Sequence, residues 1–222
     1  MAFRFLMGRG SEPLERIEAK VQSMLEHDRE EFDLAMSALL GEVVASEVNS
    51  KLRSTDQKVN QLEREIRREL VIHASVLGRI ETPAVLVFMS IVKDIERIGD
   101  YAKNLLDLGL DGADFSREPD ADEWRDLTRR ISQYMSDVGT AFAARDGERA
   151  RPLLNTGGDM LGLFDDRVSA LVRGEADGHQ MVARALAFRY LKRVVAHLMN
   201  VLSAVVMPVD RLDYFDEDPE DR

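Results

Sequence analysis

Six long stretches in which apolar residues recur three and four positions apart commit this 222-residue chain to a helical architecture. The pattern is clearest over 83–108, where Val85, Phe88, Val92, Ile95, Ala102 and Leu106 share one helix face with Gly99. Gly99 has no side chain, so a neighbouring helix can come close there. The same spacing predicts a helix over 11–41, with Leu14, Ile17, Val21, Met24, Leu25, Phe32, Ala35, Met36 and Leu39 inward. Ser11 is its expected cap, Pro13 sits in its first turn and Gly41 is its stop. A second helix follows over 43–75, turning Val44, Val48, Leu52, Val59, Leu62, Ile66 and Leu70 inward.

Three further helices are expected over 123–144, 148–173 and 179–207, the last ended by Pro208. Gly157 and Gly158 each cost about 1 kcal/mol against Ala in a helix, which predicts a kink or break in the fifth. No segment alternates like a strand, and aromatics are only 6% of the chain. The expected fold class is therefore all-α.

An internal repeat fixes how these helices are grouped. Moving along by 103 residues sets Ser37-Ala-Leu against Thr140-Ala-Phe and Asp56 against Asp159, while moving by 96 sets Ile95 against Leu191 and Asn104 against Asn200. The expectation is two three-helix bundles in tandem, six long antiparallel helices in all. Residues 1–10 form an extension, 11–110 the first repeat, 111–122 a Gly, Asp and Pro-rich linker, 123–208 the second repeat and 209–222 an acidic, frayed tail.

Charge and composition exclude several kinds of function. A net charge of −11 argues against a nucleic-acid partner, which selects a basic face. With no Cys there is neither a disulfide nor a thiolate metal site. No apolar run approaches the ~20 residues needed to span a bilayer, and 1–10 does not read as a signal peptide. A cytoplasmic protein is the expectation. Phe3, Phe5, Leu6 and Met7 beside Arg4 and Arg9 form a short amphipathic segment, for which packing on the bundle or simple disorder outweighs a membrane contact.

The chemistry concentrates in residues 94–104, D-I-E-R-I-G-D-Y-A-K-N. Glu96 and Asp100, four apart, point the same way, with Asn104 one turn on. Paired carboxylates on a rigid helix suit a hard cation, although such a pair is more often a solvated face, here flanked by Lys93, Arg97 and Lys103. His27, His73, His179 and His197 are scattered, and none completes the E-x-x-H motif of di-iron oxidases. His197 is expected at the helix surface or in a polar gap. Nucleotide-binding, serine-hydrolase and zinc-protease motifs are absent.

Residues 94–104 resemble the D-L-E-R-I-G-D-H-A-x-N-I signature of the PhoU family of phosphate-uptake regulators. Residues 56–66, D-Q-K-V-N-Q-L-E-R-E-I, are similar to the second-helix pattern D-x-x-I-D-x-L-E-x-E-I of that family, and 144–150 to its R-D-x-E-L-A. The resemblance spans about 12–208. It implies a PhoU-like pair of bundles, a regulator and not an enzyme, and carboxylate sites for iron, zinc or another divalent metal. It also implies a homodimer whose partners are a phosphate-specific ABC transporter and a sensor histidine kinase, with peripheral membrane association only through such a partner. Carried over residue by residue, Glu96 and Asp100 become metal ligands, with Asp56 and Glu63 as contributors. Asn60 and Tyr101 stand where the family pattern has Asp and His.

The second repeat departs further, with Lys192 in the place of Glu96 and Ala196 in that of Asp100. Neither can ligate a hard metal, so a second metal cluster is not expected, and the alternative is that metal binding is lost in both repeats. Two other readings are a helical adaptor for a different ion transporter and, less favoured, a carboxylate metalloenzyme.

Overall fold

The computed structural model describes residues 12–77, 82–175 and 179–212. Six helices account for most of them: α1 (Glu12–Leu39), α2 (Ala45–Leu77), α3 (Thr82–Leu110), α4 (Ala121–Ala143), α5 (Gly147–Arg173) and α6 (Met181–Val206). No strand occurs among the described residues. Helices α1, α2 and α3 pack on one another, as do α4, α5 and α6, and the two sets meet where α3 lies against α6 and α1 against α4. One continuous apolar core runs through both sets.

Local chemistry explains the ends. Gly41 takes the left-handed backbone (φ +67°) that closes α1, and the Glu42 amide donates back to the Ser37 carbonyl at 2.9 Å. Asp146 caps α5 by accepting from the Glu148 and Arg149 amides at 3.1 Å each, and left-handed Gly174 ends that helix. The expected Ser11 cap, the 1–10 extension and residues 213–222 lie outside the described residues.

Two expectations are corrected, and the 111–122 connection gains structure. Val44 belongs to the turn before α2 and is 57% exposed, because Gly41 closes α1 early enough to leave a short turn over 40–44. Residues 111–122 are more than a spacer: a 3-10 turn at Phe115–Arg117 buries Phe115, whose ring lies 4.5 Å from that of Trp124. Helix α5 passes through Gly157 and Gly158 without a break. At Gly157 a Cβ would meet Met199 and the Tyr134 hydroxyl at 2.6 Å, so this glycine permits α5 to press against α4 and α6.

Burial shows where the repeat is in register. The offset of 103 holds between α1 and α4, since buried Val21, Asp28, Phe32 and Leu39 match buried Trp124, Ile131, Met135 and Phe142. The offset of 96 holds between α3 and α6, where Ile95, Ile98 and Ala102 match Leu191, Val194 and Leu198. Between α2 and α5 the offset is 98, with Leu52, Val59 and Ile66 matching Ala150, Gly157 and Phe164. Asp56 therefore matches Leu154 and not, as the sequence suggested, the exposed Asp159.

Candidate functional site

Glu96 and Asp100 lie on the flank of α3 that faces α1 and α2. Each of the four residues singled out from the sequence already has a cation. Lys93 Nζ donates to Glu96 at 2.5 Å. Lys103 Nζ bridges Asp100 at 2.7 Å and Asp56 of α2 at 2.6 Å. Arg67 pairs with Glu63 at 3.1 Å, two turns along α2 from Asp56. Asn60 donates to Asp56 at 3.0 Å. The structure thus joins Asp56 to Asp100 through one ammonium, keeps Glu96 on its own lysine and leaves Glu63 on its own arginine.

The most unusual feature of this face was not foreseen. Asp28 and Glu31 of α1 are both 0% exposed, and none of their four carboxylate oxygens has a hydrogen-bond partner. They reach α3 at Gly99, where an added Cβ would stand 2.9 Å from Asp28 Oδ1 and 3.4 Å from Glu31 Oε2. The close approach expected at Gly99 is therefore made by carboxylates. Burial drives the Asp28 pKa well up, and Glu31, Asp56, Glu96 and Asp100 push it further. Burial and then Asp56 raise Glu31 from 4.5 to about 8, against the opposing pull of Lys103, with Asp100 adding to the rise and Arg53 resisting it. Lys103 itself is held above 10.5: burial lowers it, but Asp100 and Asp56 together more than compensate.

A signal for these two acids was present. The apolar stripe of α1 skips from Leu25 to Phe32, and the missing position is Asp28, with Glu31 one turn on.

In the second repeat the matching positions are closed by hydrocarbon. Asp28 is matched by Ile131, Glu31 by Tyr134, Gly99 by Val195 and Asp100 by Ala196, all buried. Tyr134 donates to the Leu153 carbonyl at 3.1 Å. Lys192 turns to Asp165 of α5 at 2.6 and 2.8 Å.

A different polar group lies between the repeats. Of the two places expected for His197 it takes the polar gap and not the helix surface: it is buried, and Asp94 of α3 accepts from its Nδ1 at 2.8 Å and from Asn200 Nδ2 at 3.1 Å. The Tyr101 ring stacks on His197 at 5.8 Å and meets Tyr190 at 6.0 Å. At the offset of 96, Asp94 and Tyr101 correspond to Tyr190 and His197. One crossing of α3 with α6 is therefore a carboxylate on an imidazole, and its counterpart is a pair of tyrosines.

In donor type the first-repeat face suits a hard cation: its acids supply oxygen alone, and four buried carboxylate oxygens lack partners. As the side chains stand, no three acidic or histidine groups among the described residues converge as a metal-holding set. The Lys103 ammonium stands between two of the acids, Asp56 and Asp100.

Comparison with known proteins agrees with this architecture. Residues 21–108 match the PhoU domain, from α1 to near the end of α3. A phosphate-specific transport system accessory protein PhoU homolog of Deinococcus radiodurans is 28% identical over 166 residues, 72% of this chain and 76% of that protein. One from Synechocystis is 24% identical over 200 residues, 86% of this chain and 87% of that protein. The fold superposes on the crystal structure of PhoU from Pseudomonas aeruginosa with a TM-score of 0.76 at 20% identity, covering 87% of this chain and 95% of that one. Residues 21–108 thus match the PhoU domain and all six helices are arranged as in a PhoU structure, so the chain resembles the PhoU family in sequence over its first repeat and in fold over both.

Proposed function

We propose that this protein regulates phosphate uptake and phosphate signalling without catalysing a reaction, through helix-face contacts with a phosphate-specific ABC transporter or its sensor kinase. The observation that carries this reading is the PhoU-domain match over 21–108. Two relatives named as accessory proteins of phosphate-specific transport support it. No helix among the described residues is long and apolar enough to cross a membrane. In this reading the protein works in the cytoplasm as a homodimer, and reaches the membrane through its partner.

The first repeat is also proposed to hold one hard metal ion. Glu96 and Asp100 of α3 would be its ligands, with Asp56 and Glu63 of α2 contributing. A bound cation would supply positive charge where carboxylates crowd. The chain's own residues do the rest. Lys93 and Lys103 neutralise the outer acids, Gly99 admits the α1 carboxylates, and the closed core beneath keeps α1, α2 and α3 together. Linking acids from several helices would stiffen the broad surface that a partner reads.

The test is deletion of the gene followed by measurement of phosphate-responsive expression in phosphate-rich medium. Derepression is expected, and its restoration by wild-type protein. Unchanged expression would contradict the reading. Purification of the protein from cells grown at high and low phosphate should bring down transporter or kinase subunits in a phosphate-dependent way.

A further inference from the structure

The geometry points to Asp28 and Glu31 of α1 as inner ligands of a hard divalent cation at the Gly99 notch, with Glu96, Asp100 and Asp56 completing the site from outside. This rests on the reading that the first repeat holds a metal. It goes further by adding a third helix and by naming two ligands that the signature helices do not contain.

Three observations carry it. Buried carboxylate oxygens nearly always have partners, and here all four have none. They are aimed at Gly99 of α3, where a missing side chain leaves room for them. The twin position also shows that acids are not needed to close such a core, since Ile131, Tyr134 and Val195 do so with hydrocarbon. Two acids retained at this depth, at the desolvation penalty they carry, are accounted for by a cation that they hold.

Lys103 has a defined part in this arrangement. Its ammonium bridges Asp56 and Asp100, so it occupies the outer mouth as a tethered counter-ion. A divalent cation entering the notch displaces it, and its long side chain can swing into solvent.

Manganese(II) is the probe, because it accepts an all-oxygen site and is read by calorimetry and by its paramagnetic resonance. Full-length wild type is expected to bind one ion per chain. The Asp28→Asn, Glu31→Gln double variant keeps side-chain volume and should bind ~100-fold more weakly. Lys103→Gln should bind more tightly than wild type. Helical content and melting temperature check folding, and the two single variants, each expected to weaken binding, replace the double one if it fails to fold. Undiminished binding in the Asp28/Glu31 variants, together with loss in Glu96→Gln, Asp100→Asn, would overturn this inference and leave the outer site standing. Absence of binding in both wild type and Lys103→Gln would overturn the metal reading as well.

Discussion

At matching depth the two repeats solve one packing problem in opposite ways. Around Gly99 the first repeat turns two carboxylates inward and rings them with three more, whereas around Val195 the second closes on isoleucine, tyrosine and alanine. A backbone of the same design thus tolerates either chemistry. The acids are there at a cost to stability, and the difference sets the half proposed to hold a cation apart from its twin.

Exchanging the chemistry is the strongest way to break the comparison. Ile131→Asp places an unpaired carboxylate in the apolar twin and should destabilise the protein by about 3–5 kcal/mol. Asp28→Leu, the reverse exchange, removes a buried unpartnered acid and should leave stability unchanged or raised. Chemical denaturation checks both, and equal losses would show that the two sites are not counterparts.

The close approaches come next. Gly157→Ala drives a methyl onto Met199 and Tyr134 and should cost about 2–3 kcal/mol despite the gain in helix propensity. Gly158→Ala, which meets nothing within 4 Å, should instead stabilise by ~0.5–1 kcal/mol. Thermal melts of the pair separate packing from propensity.

The inter-repeat crossing gives an intermediate effect. Asp94→Ala strands His197 and Asn200 in a buried setting and should cost about 2 kcal/mol. Tyr190→Phe, at the counterpart position, should change stability by under ~1 kcal/mol.

Acidity should separate the repeats by a similar amount. The folded-state pKa of Glu31 lies at about 8, above its ordinary 4.5. Between those values the folded protein holds a proton that the unfolded chain releases. The stability this gives is complete below pH 4.5 and is lost as pH rises towards 8. Asp28 is raised in the same sense. Glu31→Gln should flatten this fall and raise the melting temperature at pH 8 by about 4 °C. The smallest change is expected at the exposed Lys192–Asp165 pair, where Lys192→Ala should alter stability by under ~1 kcal/mol.

Helix periods are local, so α1 to α6 could be read from spacing, with errors at ends such as Val44 where the turn chemistry of Gly41 prevails. Breaks are a poorer inference from composition. Gly157 weakens a helix in isolation, but in the bundle it is the contact that seats α5 on α6. The acidic face of the first repeat was half legible: Glu96 and Asp100 stand out by their spacing, while Asp28 registers only as a gap in an apolar stripe. Asp94 and His197 lie 103 residues apart in sequence. Their pairing depends on α3 crossing α6, which no local pattern encodes.

The central claim is that one carboxylate site survives per chain and that it lies in the first repeat. Anomalous diffraction from crystals grown with manganese(II) tests it most directly. The account predicts a single peak per chain, at the Gly99 notch within coordination distance of Asp28 and Glu31. A peak beside Val195, peaks in both repeats, or none at the notch would contradict it.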